Sequence, residues 1–107
     1  MKRFLLVVLS VFLLNGVGFA QQTIKIGGIF DITGGTGDVG TPYAEAARDY
    51  LNYVNKQGGV NGKKIELIDT DYSYKIPQAV SAYKDQVSKG VIAILGWGTG
   101  DTEAMAP

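Results

Sequence analysis

The sequence predicts an α/β fold, a three-layer doubly wound parallel sheet with the flavodoxin-like strand order 2-1-3. Short apolar segments typical of strands alternate with amphipathic segments of helical spacing, in the order strand, helix, strand, helix, strand. Each connection is long enough to contain a helix, and such crossovers join parallel strands with a right-handed turn. In this strand order, the loops after the first and third strands diverge and open a crevice at the carboxyl edge of the sheet.

The first strand is predicted at the apolar run that begins at Ile24 and ends at Phe30. Its nearly continuous apolar character is expected where both faces of a sheet are covered. The first helix is predicted over residues 42–57, because Thr41 is a favourable N-cap and Pro42 fits the first helical position.

The segment of residues 58–62, Gly-Gly-Val-Asn-Gly, predicts the end of that helix and a compact reversal. The second strand then begins at Ile65 and ends at residues 69–71. A stripe of apolar residues from Ile76 onward predicts the second helix, which closes at Gly90.

The remaining segments complete the predicted order. Tyr72 and Tyr74, after the second strand, are predicted to lie at the surface. Residues 91–95 are five consecutive apolar residues, mostly branched, and this run is typical of a central parallel strand. If residues 101–104 start a third helix, its free amide groups point into the crevice.

Residues 1–20 are predicted to be a signal peptide, which would place the protein in the periplasm. Lys2 and Arg3 precede an apolar run that is short for a membrane span, and Gly18 and Ala20 suit cleavage before Gln21. An uncleaved membrane anchor is the alternative. The chain contains no cysteine, which excludes a lipoprotein anchor, disulfides and thiolate metal sites.

Charge and residue types exclude further classes of function. Without Lys2 and Arg3, the mature segment has eight basic and ten acidic side chains and no basic stripe for a nucleic-acid backbone. Histidine and cysteine are absent and no serine stands in a nucleophile elbow, so the sequence predicts no enzyme. Asp69 and Asp71 lack a histidine or a third nearby carboxylate, so they predict no metal site.

Residues 35–40, Gly-Thr-Gly-Asp-Val-Gly, match the dinucleotide-binding fingerprint, which makes a Rossmann-type dehydrogenase a remote alternative. Four residues separate the first strand from the first glycine, although the fingerprint glycine should follow its strand almost directly. The nearest acids at a strand end are Asp69 and Asp71, and an exported chain would not meet a nicotinamide cofactor. The sequence therefore predicts no cofactor.

Three segments together resemble the amino-terminal part of the periplasmic branched-chain amino-acid-binding protein family. They are Thr-Gly-Gly at residues 33–35 with Gly40, the reversal at residues 58–64, and Ile-Asp-Thr-Asp at residues 68–71. The resemblance implies a two-lobe periplasmic-binding-protein fold of type I, in which residues 21–107 form the incomplete first part of ligand-binding lobe 1.

The resemblance also implies a function. Members of this family are the extracytoplasmic solute-binding proteins of ABC importers. The expected ligand is a small carboxylate, a branched-chain or related amino acid, and the expected partner is an ABC permease in the inner membrane. The alternative is a ligand-sensing module of a receptor or kinase with the same fold.

The two crevice loops contain the candidate ligand-binding residues. The resemblance implies that Thr99 and nearby amides hold the ligand carboxylate, and that Val39 stands where leucine-binding members often have an aromatic ring. Trp97 could lie against an apolar ligand or fill a gap between a strand and a helix. Asp31 could meet an ammonium group or bond its own turn. The full set of candidates is Trp97, Gly98, Thr99, Thr102, Val39 and Asp31, in which the two threonines could also act as helix caps.

Overall fold

The structure is a computed structural model that describes residues 22–107, so the predicted signal peptide at residues 1–20 lies outside the described part. Strands and helices alternate along the chain, as the sequence predicts. They are β1 (Ile24–Phe30), α1 (Gly37–Lys56), β2 (Ile65–Asp71), α2 (Ile76–Ser88), β3 (Ala93–Leu95) and α3 (Thr99–Met105). Within residues 22–107, no helix is both long and apolar enough to cross a membrane.

The three strands form one parallel sheet in the order β2-β1-β3, which confirms the predicted topology. Pairing between β1 and β2 runs from Ile24 opposite Ile65 to Phe30 opposite Asp71. On its other side, β1 pairs with β3, with Gly28 opposite Leu95. Because the strands are parallel, the loops that follow all three leave from the same edge of the sheet.

Helices α1 and α2 cover opposite faces of the sheet. Successive residues of β1 point to opposite faces, and two neighbours contact different helices. Ile29 packs in the core with Ala79 and Ala82 of α2. Its neighbour Phe30 meets Tyr43 of α1 edge to face, with ring centroids 5.4 Å apart. The sheet is therefore the middle of three layers.

Helix α1 begins at Gly37, five residues before the predicted start, and Pro42 lies inside it. The carbonyl of Thr36 accepts hydrogen bonds from the amides of residues 39 and 40, which closes the first turn ahead of the proline. Thr41 is not the N-cap, and its hydroxyl lies 3.4 Å from the carbonyl oxygen of Ile32. The first turn that forms at Thr36 therefore determines where α1 begins, rather than the favourable pair Thr41-Pro42.

Strand β3 is shorter than predicted and lies at an edge of the described sheet, whereas β1 is central. Ile92 is 76% exposed, although its amide still donates to the carbonyl of Lys25. Helix α3 is present but begins at Thr99, two residues before the start that the sequence suggests.

The reversal between α1 and β2 follows the prediction. Gly58, Gly59, Asn61 and Gly62 all have positive φ angles, which closes the helix and turns the chain. The side-chain amide of Asn55 then bonds both the N–H and the carbonyl of Ile65, each over 2.7 Å. This pair of bonds joins the last turns of α1 to the first residue of β2.

A buried glutamine joins α2 to the sheet. Nε2 of Gln86 donates to the carbonyl of Gly28 over 2.9 Å and lies 3.3 Å from Oγ1 of Thr70. Its Oε1 has no hydrogen-bond partner among the described groups and lies where a β-carbon on Gly27 would stand. A glycine at position 27 therefore makes room for the buried amide.

Candidate functional site

Three loops meet at the carboxyl edge of the sheet and form the candidate site. The first loop, residues 31–36, follows β1; the second loop, residues 72–75, follows β2; the third loop, residues 96–98, follows β3. Hydrogen bonds join the first loop to each of the other two, and join the second to the start of α3. The loops after the first and third strands therefore meet at the carboxyl edge of the sheet, as the predicted topology requires.

Asp31 organises the first loop. Its side chain is completely buried, and its Oδ1 accepts a hydrogen bond from the amide of Gly34 over 2.7 Å. Its Oδ2 accepts both the amide and the hydroxyl of Thr36, each over 2.7 Å. The structure therefore places the Asp31 carboxylate inside its own turn rather than at the crevice, which is the structural alternative that the sequence left open.

Asp71 fastens the first loop to the second. Its carboxylate accepts hydrogen bonds from the hydroxyl of Thr33 over 2.6 Å and from the amides of Ile32 and Ser73 over 3.0 and 2.9 Å. Burial alone would raise the pKa of Asp71, but the Thr33 hydroxyl and the amides outweigh it and lower the pKa to about 2. At neutral pH, Asp71 is therefore an anion that holds two loops together.

Gly34 lies where these two loops touch. A β-carbon at this position would overlap the backbone of Ser73 and the carboxylate of Asp31. The second loop in turn contains two consecutive non-glycine residues with positive φ, Ser73 at 50° and Tyr74 at 56°. Such backbone is unfavourable for side-chain-bearing residues, so the contacts around Asp71 stabilise a conformation that the loop would not prefer alone.

Tyr72 fastens the second loop to α3. It is only 1% exposed, which corrects the prediction that it lies at the surface, whereas Tyr74 is exposed as predicted. The hydroxyl of Tyr72 donates to Oδ1 of the buried Asp101 over 3.0 Å. Burial and this acidic partner raise the pKa of Tyr72, so the phenol stays protonated and keeps its donor.

Asp101 closes the first turn of α3. Its Oδ2 accepts the amide of Gly98 over 3.2 Å, which is one half of a capping box. The hydroxyl of Thr102 donates to the carbonyl of Gly98 over 2.6 Å, so Gly98 is held from both sides. The carboxylate of Asp101 therefore already lies at the start of α3 and accepts the hydrogen bond of the Gly98 amide.

Trp97 bridges the first and third loops. Its Nε1 donates to Oγ1 of Thr36 over 2.8 Å, and its ring lies 5.4 Å from that of Tyr43, tilted by 36°. The indole is half-buried and packs against the core around Ile29. Trp97 also lines an open cavity of about 490 Å³. The other lining residues are Tyr83, Ile94, Gly96, Thr102, Met105, Ala106 and Pro107.

The other candidate residues are more dispersed. Thr99 is exposed at the first position of α3, and no group within residues 22–107 bonds its hydroxyl. Val39 is 56% exposed on the first turn of α1. The structure therefore brings Trp97 and Thr102 to one cavity. Gly98 and Thr99 are their neighbours in the sequence, whereas Val39 lies on a different element, α1.

The structure also explains the apparent fingerprint at residues 35–40. A β-carbon on Gly37 would overlap the carbonyl oxygen of Ile32, and one on Gly40 would overlap that of Asp31. These glycines let α1 press against the loop that precedes it. Close packing between a helix and its loop accounts for their spacing without a dinucleotide.

The two aspartates at the end of β2 have separate partners. Asp69 forms an ion pair with Arg48 of α1, and Asp71 bonds the first loop. Among residues 22–107, no group of three acidic side chains is close enough to hold a metal ion.

Four residues of this region were not among the sequence-based candidates: Thr36, Tyr43, Tyr72 and Asp101. Their importance comes from partners far away in the sequence, such as Trp97 for Thr36. The glycines around Thr36 gave the only local signal, because they mark a loop at a strand end.

Comparison with known proteins gives a consistent result. A family model described as "Periplasmic binding protein" matches residues 23–107. No curated protein sequence matches the chain.

Several solved structures are similar to the described fold. The branched-chain amino acid transporter substrate binding protein from Streptococcus pneumoniae, in complex with isoleucine, is 32% identical with a TM-score of 0.74, covering 78% of this chain and 25% of that one. A fatty acid ABC transporter substrate-binding protein from Thermomonospora curvata is 34% identical with a TM-score of 0.73, covering 83% of this chain and 23% of that one.

An ABC transporter substrate binding protein from Aeropyrum pernix is 40% identical with a TM-score of 0.70, covering 76% of this chain and 22% of that one. The chain therefore spans about a quarter of the length of the structures that it matches.

Proposed function

The chain belongs to the periplasmic binding protein family, and on this basis we propose that it forms part of the first ligand-binding lobe of a solute-binding protein that serves an ABC importer. The proposed location is the periplasm, reached through the signal peptide predicted at residues 1–20. The proposed partner is an inner-membrane permease. A second lobe, which these residues do not include, would close over the ligand by a hinge motion.

We propose that the ligand is a small carboxylate with an apolar chain, a branched-chain amino acid or a related acid. The observation that carries this proposal is the position of Trp97, whose indole N–H donates to Thr36 of the first loop and whose ring lines the open cavity. An indole face offers a large apolar contact to a hydrocarbon chain. Isoleucine and fatty acids, the ligands named for two similar structures, both combine a carboxylate with an apolar chain.

The carboxylate would be received by the hydroxyl of Thr99 with help from nearby backbone amides other than that of Gly98, which already donates to Asp101. Thr99 suits this role because its hydroxyl is exposed and bonded by no described group. Gly98 and Thr102 would shape the wall beside it, and Val39 would face the ligand from α1. Asp31 would act indirectly, since its buried carboxylate already accepts three hydrogen bonds within the first loop.

Titration calorimetry of the intact mature protein tests this proposal, with L-isoleucine, L-leucine, L-alanine and palmitate as probes. Binding of one apolar carboxylate that raises the melting temperature would support it, because a ligand that binds the folded state stabilises that state. Saturating ligand should also change the fluorescence of Trp97, identified as the emission lost in Trp97→Phe. Failure of every apolar carboxylate to bind, with tight binding of an uncharged polar solute instead, would contradict the proposed ligand class.

A further inference from the structure

A one-way chain of hydrogen bonds runs from Trp97 through Thr36 to Asp31. The indole N–H can only donate, and both carboxylate oxygens of Asp31 accept hydrogen bonds. Thr36 has a single hydroxyl proton, which it donates to Oδ2 of Asp31 over 2.7 Å, so its oxygen is left to accept Nε1 of Trp97 over 2.8 Å. The chemistry of the three groups therefore permits one direction of donation.

The far end of this chain cannot move easily. Asp31 is completely buried and also accepts the amides of Gly34 and Thr36. A hydroxyl that donates to a carboxylate is polarised and becomes a better acceptor for the next donor. Thr36 is thus held in place by both its amide and its hydroxyl before it meets the indole.

The ring of Trp97 has a second restraint from α1. The ring of Tyr43 lies against it at 5.4 Å between centroids, and Tyr43 in turn packs edge to face with the fully buried Phe30, with centroids 5.4 Å apart. One restraint fixes the nitrogen of the indole and the other supports the ring. Together they determine how Trp97 faces the cavity that it lines.

We propose that Thr36 is a positioning residue for ligand selectivity, which acts by fixing the orientation of the Trp97 indole. This inference rests on the proposed function, in which the indole contacts the apolar chain of a carboxylate ligand. Because an oriented ring presents a cavity wall of fixed shape, it discriminates between apolar chains of different length. A freely rotating ring would adapt to each of them.

The experiment compares the intact wild-type protein with Thr36→Val, which removes the hydroxyl but keeps the branched shape and the backbone amide. Thr36→Ser restores a hydroxyl, and Thr23→Val is a control at an exposed threonine before β1. The first readout needs no ligand: the ¹H–¹⁵N resonance of the Trp97 indole, assigned by its absence in Trp97→Phe. Thr36→Val should move this resonance and speed exchange of its proton with solvent, while Thr36→Ser and Thr23→Val should resemble the wild type.

The second readout is the ratio of Kd values for L-alanine and L-isoleucine. A difference of a few methylene groups in an apolar pocket is worth tenfold or more, and we expect Thr36→Val to reduce this ratio by roughly threefold to tenfold. Thr36→Ser should recover it. An unchanged ratio, or a ratio that falls equally in Thr36→Ser, would overturn the proposal even though the protein still binds its ligand.

Two further outcomes are separable. If no probe binds the wild type, the proposed ligand class is wrong, and an unshifted indole resonance in ligand-free Thr36→Val would independently reject the positioning role. If Thr36→Val does not fold, Trp97 is replaced by 3-benzothienylalanine, which keeps the bicyclic shape and lacks the N–H. Loss of discrimination in that protein supports the inference, and unchanged discrimination rejects it.

Discussion

The hydroxyl of Tyr72 donates a hydrogen bond to Oδ1 of Asp101 over 3.0 Å, and both side chains are buried. The bond connects the residue after β2 with the first turn of α3, 29 positions later. Through the second oxygen of Asp101 it also reaches the amide of Gly98. The loop that follows β2 therefore supports the segment in which ligand contacts are proposed.

Replacing Tyr72 with phenylalanine should destabilise the protein by about 1 to 3 kcal/mol, because the buried Asp101 loses a donor and remains out of water. The measurement is the urea midpoint of the intact protein by circular dichroism. Tyr53→Phe is the matched control, since Tyr53 is 59% exposed and no hydrogen bond to its hydroxyl is present in the described structure. Equal midpoints for the two variants would show that the Tyr72 hydroxyl contributes nothing.

Asp71 should make stability depend on acid pH. Its pKa in the folded state is about 2, below its ordinary value of 3.8, so the folded protein favours the ionised form. This stabilisation is complete above about pH 4 and is lost as the pH falls toward 2. One pKa unit is about 1.4 kcal/mol, and with allowance for partial exposure we expect a loss of about 1 to 2 kcal/mol.

The pH effect is measured by comparing thermal melting of the wild type and Asp71→Asn between pH 2 and pH 6. The variant should be less stable near neutral pH, and the difference should shrink as the solution becomes more acidic. A difference that stays constant across this range would contradict the assignment of the low pKa to Asp71.

Gly40→Ala should destabilise the protein by about 1 to 3 kcal/mol or prevent folding, because its new methyl group would overlap the carbonyl oxygen of Asp31. The overlapping groups belong to the backbone of α1 and to the backbone of the first loop, so neither can move away easily. Gly35→Ala is the control within the same loop region, since a β-carbon there meets nothing within 4 Å. Denaturant unfolding of both variants tests the explanation given for the fingerprint-like spacing, which would be wrong if they were equally stable.

Thr99→Ala in the intact protein should weaken binding of a carboxylate ligand by about 1 to 3 kcal/mol through the loss of one charge-assisted hydrogen bond. Stability should change little because Thr99 is exposed. Calorimetric titration with L-isoleucine provides the measurement, and Thr23→Ala, before β1, serves as control. Equal affinity of Thr99→Ala and wild type would remove Thr99 from the proposed contacts.

The topology of the sheet could be predicted from the sequence because it depends on patterns that are local. Apolar runs, helical spacing and the length of each crossover together require parallel strands, and the observed order 2-1-3 agrees. The reversal before Ile65 could also be predicted, because positive φ angles at Gly58 and Gly59 follow from the residue type.

The start of α1 could not be predicted, because it depends on packing with another segment. Thr41 and Pro42 form a favourable local start, but Gly37 and Gly40 allow the helix to begin earlier against the carbonyls of the first loop. A propensity argument considers residues singly and does not contain this contact.

The supporting residues of the site were missed for the same reason. Thr36 and Trp97 are 61 positions apart, and Tyr72 is buried against core residues distant in the sequence, such as Ile29, with its hydroxyl bonded to Asp101. The burial of Gln86 could not be predicted either, because a glutamine on a helix is usually exposed. Here it is buried against Gly27 and Gly28.

The two hydrogen bonds between Asn55 and Ile65 also affect how molecules meet in solution. In a parallel strand the N–H and carbonyl of one residue face the same side, and at Ile65 that side faces away from β1. Within residues 22–107, β2 has no partner strand on that side, and the asparagine occupies its first outward-facing position, where a strand from another molecule could otherwise begin to pair. Because these two backbone groups are already bonded, the asparagine hinders edge-to-edge pairing of β2 with another molecule, which is a route to aggregation.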